Sequence, residues 1–164
     1  MAVDMFLVFE HADLKGETQD SVYKAKGGID VLAWSFGLSQ SGTFHAGGGS
    51  GAGKVNYQDV SVTKWVDKAS PILMLFCSNG GHIPKATIVV RKAGTTPLEY
   101  ITIVAEPVMI TSVSTGGSGG EDRLTENITL NCGKINVKYI EQLATGLEGA
   151  KPEYTWDIAG NVKA

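Results

Sequence analysis

Apolar and polar residues alternate along much of this chain with the two-residue period of a β-strand, whose successive side chains face opposite sides of a sheet. Such runs fall near residues 3–9, 29–39, 55–65, 85–92, 98–111, 124–139 and 153–158, and seven strands of this kind predict a barrel or a sandwich. Within 30–39, Leu32, Trp34, Phe36 and Leu38 fall on one face and bury a large area, while Ala33, Ser35, Gly37 and Ser39 fall on the other. An exposed strand face usually carries charge. A small, uncharged face suggests close approach by another body or a smooth wall, against the plainer reading of an ordinary exposed surface. In 124–139 the phase shifts: Leu124, Ile128, Leu130 and Cys132 occupy even positions, whereas Ile135, Val137 and Tyr139 are odd. Gly133 sits at the shift and predicts a bulge, since one extra residue exchanges the two faces and helps a sheet close on itself.

One helix is predicted over 68–78, where Pro71 suits a first turn after Ser70 and Asn79-Gly80-Gly81 supplies a stop. Its run Ile72-Leu73-Met74-Leu75-Phe76-Cys77 is apolar all round, so the helix is expected to plug one end of the core or to meet a neighbour. A buried strand fits the same short run.

Composition narrows the class. Twenty-one glycines against five prolines suit a β protein with permissive turns, and the glycines cluster in two loops, residues 41–53 and 115–120. Loops of that length in a compact domain are usually functional or disordered. At 164 residues the chain fits one domain, 1–164, able to bury a core without disulfides or metals. Cys77 and Cys132 then read as small hydrophobes of a reduced cytosolic protein, and His11, His45 and His82 lack ligand spacing, so no metal or other cofactor is expected. Fourteen basic and seventeen acidic residues give a net charge of −3, which argues against nucleic-acid and anionic-membrane partners. The first ten residues lack the features of a signal peptide, and no run reaches about 18 apolar residues. A cytoplasmic protein with no membrane insertion is expected, exported only by a machine that reads no N-terminal signal.

Candidate chemistry fails on its own terms. Gly48-Gly49-Ser50-Gly51-Ala52-Gly53-Lys54 matches a phosphate-binding GxxxxGK loop, but Val55 stands where a hydroxyl should hold magnesium, and a strand pattern follows in place of a helix. Glu121 and Asp122 precede Arg123 on an extended segment, where adjacent carboxylates diverge and do not converge on one substrate atom. They read as rim charges. With no GxSxG, HExxH or paired Cys and His, no enzyme is expected. Two alternatives remain: a phosphate-ester or nucleotide hydrolase using 48–54, and a monomeric β-barrel with a ligand inside. Bulky inward Trp34, Phe36 and Trp156 argue against the second.

The start Met1-Ala2-Val3-Asp4-Met5-Phe6, the segment Lys15-Gly16-Glu17, the strand 29–42, Gly51-Ala52-Gly53-Lys54-Val55, Arg91-Lys92-Ala93-Gly94 and the stretch Ser112 to Asn127 together resemble Hcp, the haemolysin-coregulated proteins of type VI secretion. The order and spacing hold along the whole chain. The resemblance implies a small closed β-barrel of two sheets with one α-helix, six copies forming a ring, and rings stacking into the inner tube of a contractile injection machine. It further implies contractile sheath proteins and a VgrG-type spike as partners, small effector proteins held in the lumen, and release of the tube to the medium or a target cell. In that setting Ala33, Ser35, Gly37 and Ser39 are expected to line the lumen. Thr43, His45, Gly47, Gly48, Gly49 and Ser50 are expected to reach the next ring or subunit, and Glu121, Asp122 and Arg123 to lie near one ring face.

Overall fold

The computed structural model describes residues 3–45, 47, 51 and 53–164. In chain order the elements are β1 (Val3–Phe9), β2 (Ile29–Ser35), β3 (Leu38–Ser39), β4 (Asn56–Tyr57), β5 (Val60–Trp65), α1 (Ser70–Asn79), β6 (His82–Ile83), β7 (Ala86–Lys92), β8 (Leu98–Thr115), β9 (Thr125–Tyr139), β10 (Glu153–Asp157) and β11 (Val162–Lys163). Strands β9, β5, β2, β1, β7 and β8 pair in that order, and β8 returns to β9, which closes an antiparallel barrel. β10 and β11 extend the sheet from β9, β6 lies on β8, and β3 with β4 forms a separate two-stranded sheet. The expected mainly β barrel of two sheets with one helix is what the chain forms.

The barrel is filled by its own side chains. Leu7, Ile29, Val62, Ile128, Leu130 and Ile135 are fully or almost fully buried in it, and Trp34, Phe36 and Trp156 pack against it. Helix α1 has Pro71 in its first turn, and Gly80 ends it in the left-handed conformation at φ 66°. Leu73 and the preceding Ala69 are buried in the barrel, while Met74 and Leu75 remain exposed, so the helix covers the core with one side only.

Three local expectations need correction. The run 29–39 is two strands in different sheets, and its apolar face is broken by an extra residue. Val31 pairs with Lys64 and Ala33 with Thr63, so Leu32 is a bulge, 39% exposed, and Leu38 in β3 is 52% exposed. Only Trp34 and Phe36 of the four predicted inward residues pack on the core. Likewise the run 55–65 breaks into β4 and β5. Finally, Gly133 is not a bulge: Glu106 pairs with Lys134 and Val108 with Cys132 without a shift in register. Both strands exchange faces together there, opposite the cis Glu106–Pro107 bond, and a Cβ on Gly133 would stand 3.1 Å from Pro107 Cδ. At this point β9 leaves β10 and joins β5.

Two polar clusters fasten the outer parts. Lys64, wholly buried, donates from Nζ to the carboxylates of Glu126 and Asp67 and to the Trp65 carbonyl, and so ties β5 and β9 to the entry of α1. Ser70 Oγ donates to the same Glu126. On the barrel exterior the segment 10–28 lays Tyr23 on Phe6, with stacked rings 4.3 Å apart beside Val89. Arg91 locks this strap through Asp20 and Asp4, and the Tyr23 hydroxyl donates to Glu99. The Arg91 guanidinium bonded to Asp20 holds that carboxyl down at about 2. Burial and the neighbouring Glu99 carboxylate push the Tyr23 hydroxyl well above the usual phenol range.

Candidate functional site

The outward faces of β2, β5, β9 and β8 form one wall because these strands are neighbours and their alternations are in phase. Val60, Val62, Ile128 and Leu130 point into the barrel, so the residues between them point out. The register lays them in two rows. Ala33, Thr63, Asn127 and Ser114 form one; Ser35, Ser61, Thr129 and Ser112 form the next. All eight are exposed or half-buried, and none carries a charge.

Four of them hydrogen-bond to one another in pairs. Thr63 Oγ1 donates to Asn127 Oδ1 at 2.5 Å, and the Ser112 and Thr129 hydroxyls are 2.6 Å apart. Asp59 stands at one end of the wall and accepts from Thr111 at 2.7 Å and Asn131 at 2.9 Å. Such a lattice offers no convergent nucleophile, base or cation. It offers smooth contact to a polar, uncharged surface.

The predicted site residues divide. Ala33 and Ser35 lie on the wall. Gly37 does not: its carbonyl accepts from Gln58 N at 2.9 Å, and a Cβ there would meet Gln58 Oε1 at 2.8 Å, so it shapes the turn beyond β2. Ser39 pairs with Asn56 in the separate small sheet. Sequence reasoning missed Ser61, Thr63, Ser112, Ser114, Asn127 and Thr129. Their polar-out alternation was visible, but which strands flank β2 is a matter of topology.

The two glycine-rich loops leave the wall at opposite ends. Residues 41–53 follow β3, beyond the end marked by Ser35 and Ser61; residues 116–124 join β8 to β9 at the end marked by Trp65 and Thr125. In the first loop Thr43 Oγ1 donates to the Gly51 carbonyl at 2.9 Å, His45 is exposed and Gly47 takes φ 50°. Gly48, Gly49 and Ser50 lie outside the described residues. Lys54 is exposed and leads into β4, a strand where a phosphate-binding loop needs a helix. In the second loop Glu121 and Asp122 are exposed, while the Arg123 guanidinium lies 4.4 Å from the centre of the Trp65 ring. These three residues are neighbours in space, but Arg123 is turned to Trp65. Cys77 and Cys132 are free and half-buried, and burial holds the Cys132 thiol up at about 11. Among the described residues no group of three or more His, Cys, Asp or Glu is placed to hold a metal ion, and no helix is long and apolar enough to cross a membrane.

Residues 6–139 match the family model described as "Type VI secretion system effector, Hcp". This chain belongs to the Hcp family. It is 53% identical, over the full length of both chains, to the protein hcp1 of Pseudomonas aeruginosa. Among solved structures it is similar to Hcp1 of Salmonella typhimurium, at 32% identity and a TM-score of 0.80 with both chains fully covered. A type VI secretion effector from Yersinia pestis is similar at 32% identity and a TM-score of 0.75, over 94% of this chain and 99% of that one. For this Hcp chain the eight-residue wall and the two loops are therefore features of a type VI secretion protein.

Proposed function

We propose that this Hcp chain is the tube subunit of a type VI secretion system, closing into rings of six whose lumen is lined by the uncharged wall. The rings stack, pass inside a contractile sheath behind a VgrG-type spike, and carry small effector proteins. The observation that carries this reading is the state of the wall's two sides. Among the described residues, Ala33, Trp34 and Ser35 pair only with β5, and Ser112 to Thr115 pair only with β9, so the wall ends laterally in two strand edges free of described partners. Free edges are templates for pairing with another chain, and natural proteins rarely leave them open. Two different edges on one chain make a heterologous contact, which repeats from copy to copy until rotation closes a ring. The wall's chemistry supports the lumen: small neutral side chains leave room and make no salt bridge that would arrest a passing cargo. The loops at opposite ends of the wall suit contact with the next ring or subunit, with 41–53 on one side and the rim charges Glu121, Asp122 and Arg123 on the other.

Light scattering after size exclusion, across a range of concentrations, tests the reading. A mass near six chains is expected. A concentration-independent monomer overturns it, because the free edges would then need no partner.

A further inference from the structure

Phe44, between β3 and β4, is 86% exposed, more than any other large hydrophobic residue described. At the foot of the same segment an apolar groove of about 410 Å³ opens, lined chiefly by Leu38, Gly53, Val55, Tyr57, Tyr154 and Trp156. The chain's own Phe44 does not fill it, although it follows Leu38 closely in sequence. The groove is held open from beneath: Tyr57 stacks on Phe36 at 6.1 Å, and its hydroxyl is hydrogen-bonded to that of Tyr154.

We propose that this groove receives Phe44 of a second copy of the chain. A buried Phe removes roughly 150–250 Å² from water, and aromatic anchors seated in pockets dominate the energetics of interfaces. A projecting ring and a vacant aromatic groove at different places on one surface fit each other head to tail between copies. Position favours the same occupant. Leu38 belongs to β3, just beyond the free edge of β2 at Ser35, so a copy seated along that edge has its chain at the mouth of the groove. Among the described residues no charged side chain lines the groove, so the contact is apolar and survives high salt. The inference rests on the ring reading for the presence of the second copy and adds which residues meet.

Cross-linking between copies tests it. One tagged chain carries Phe44→Cys and an untagged chain carries Leu38→Cys or, independently, Val55→Cys; the two are co-expressed and mildly oxidised. A disulfide-linked pair of mixed mass, with the bond mapped by peptide mass to 44 and 38 or to 44 and 55, is expected, and neither chain alone should give that bond between copies. If the native chain runs as a multimer and no mixed pair forms with either partner, this inference is overturned while the ring stands. If Phe44→Cys and Leu38→Cys on one chain link only within that chain, the ring folds back into its own groove and the inference is also overturned. A native chain that stays monomeric removes the second copy, and the ring reading falls with it.

Discussion

Lys64 shows how one residue is decided by its surroundings. In Val60-Ser61-Val62-Thr63-Lys64-Trp65 it occupies an inward position, where the alternation would place an apolar residue. It is tolerated because its cross-strand partner on β9 is Glu126, equally buried, and because Asp67, Ser70 and the Trp65 carbonyl saturate its ammonium. Burying a charge without a partner is costly, whereas removing both partners of a buried pair often costs little. Lys64→Met is therefore expected to destabilise the fold by about 3–5 kcal/mol, and Lys64→Met combined with Glu126→Leu to recover most of that loss. Urea unfolding of both variants checks this; equal losses would mean that shape, and not charge, holds the site. The sequence shows the lysine breaking a pattern, but the carboxylate that answers it is far along the chain and unpaired to it until β5 meets β9.

At the scale of elements, the strap 10–28 has no regular strand or helix and is held by side chains. Asp20 is the joint: it accepts from the Val22 and Tyr23 amides and pairs with Arg91 of β7. Its carboxyl is held at about 2, below the 3.8 of an unperturbed aspartate, so the folded state prefers it ionised. That contribution is complete above about pH 4 and is lost as the pH falls toward 2. Asp20→Asn is expected to lower stability at pH 7 and to flatten the fall between pH 4 and 2, read from thermal unfolding as a function of pH; an unchanged acid limb would remove Asp20 from the lock. Most elements were legible from periodicity. The helix, predicted over 68–78, forms over Ser70–Asn79, and its stop at Gly80 was readable because only an easily left-handed residue ends it there. The phase shift at Gly133 was legible too, but its cause was not. A bulge and a paired exchange of faces look alike in one strand, and the difference lies in the unshifted register with β8 opposite.

For the whole molecule, the wall carries the test of cargo. Ser35 is exposed on the wall's β2 edge, beside Ser61 and in one row with Thr129 and Ser112. Ser35→Arg is expected to abolish retention of a co-expressed effector while the assembled mass stays unchanged, since the side chain would project from the wall and not into the barrel. Effector that still co-purifies at the native level would remove the wall from this role. Two of the four lining residues expected from sequence, Ala33 and Ser35, lie on the wall; Gly37 and Ser39 do not, because the strand they were assigned to ends at Ser35. By itself the sequence determined the β class, the single helix, the alternation that separates core from surface, and the glycine-rich loops, because each depends on neighbours close in the chain. Only the tertiary structure decided that β2, β5, β9 and β8 stand side by side, that their small polar residues share one face, and that its two edges are free. Those facts come from pairing between residues far apart in the chain, Val60 with Leu130 among them, which local period does not encode.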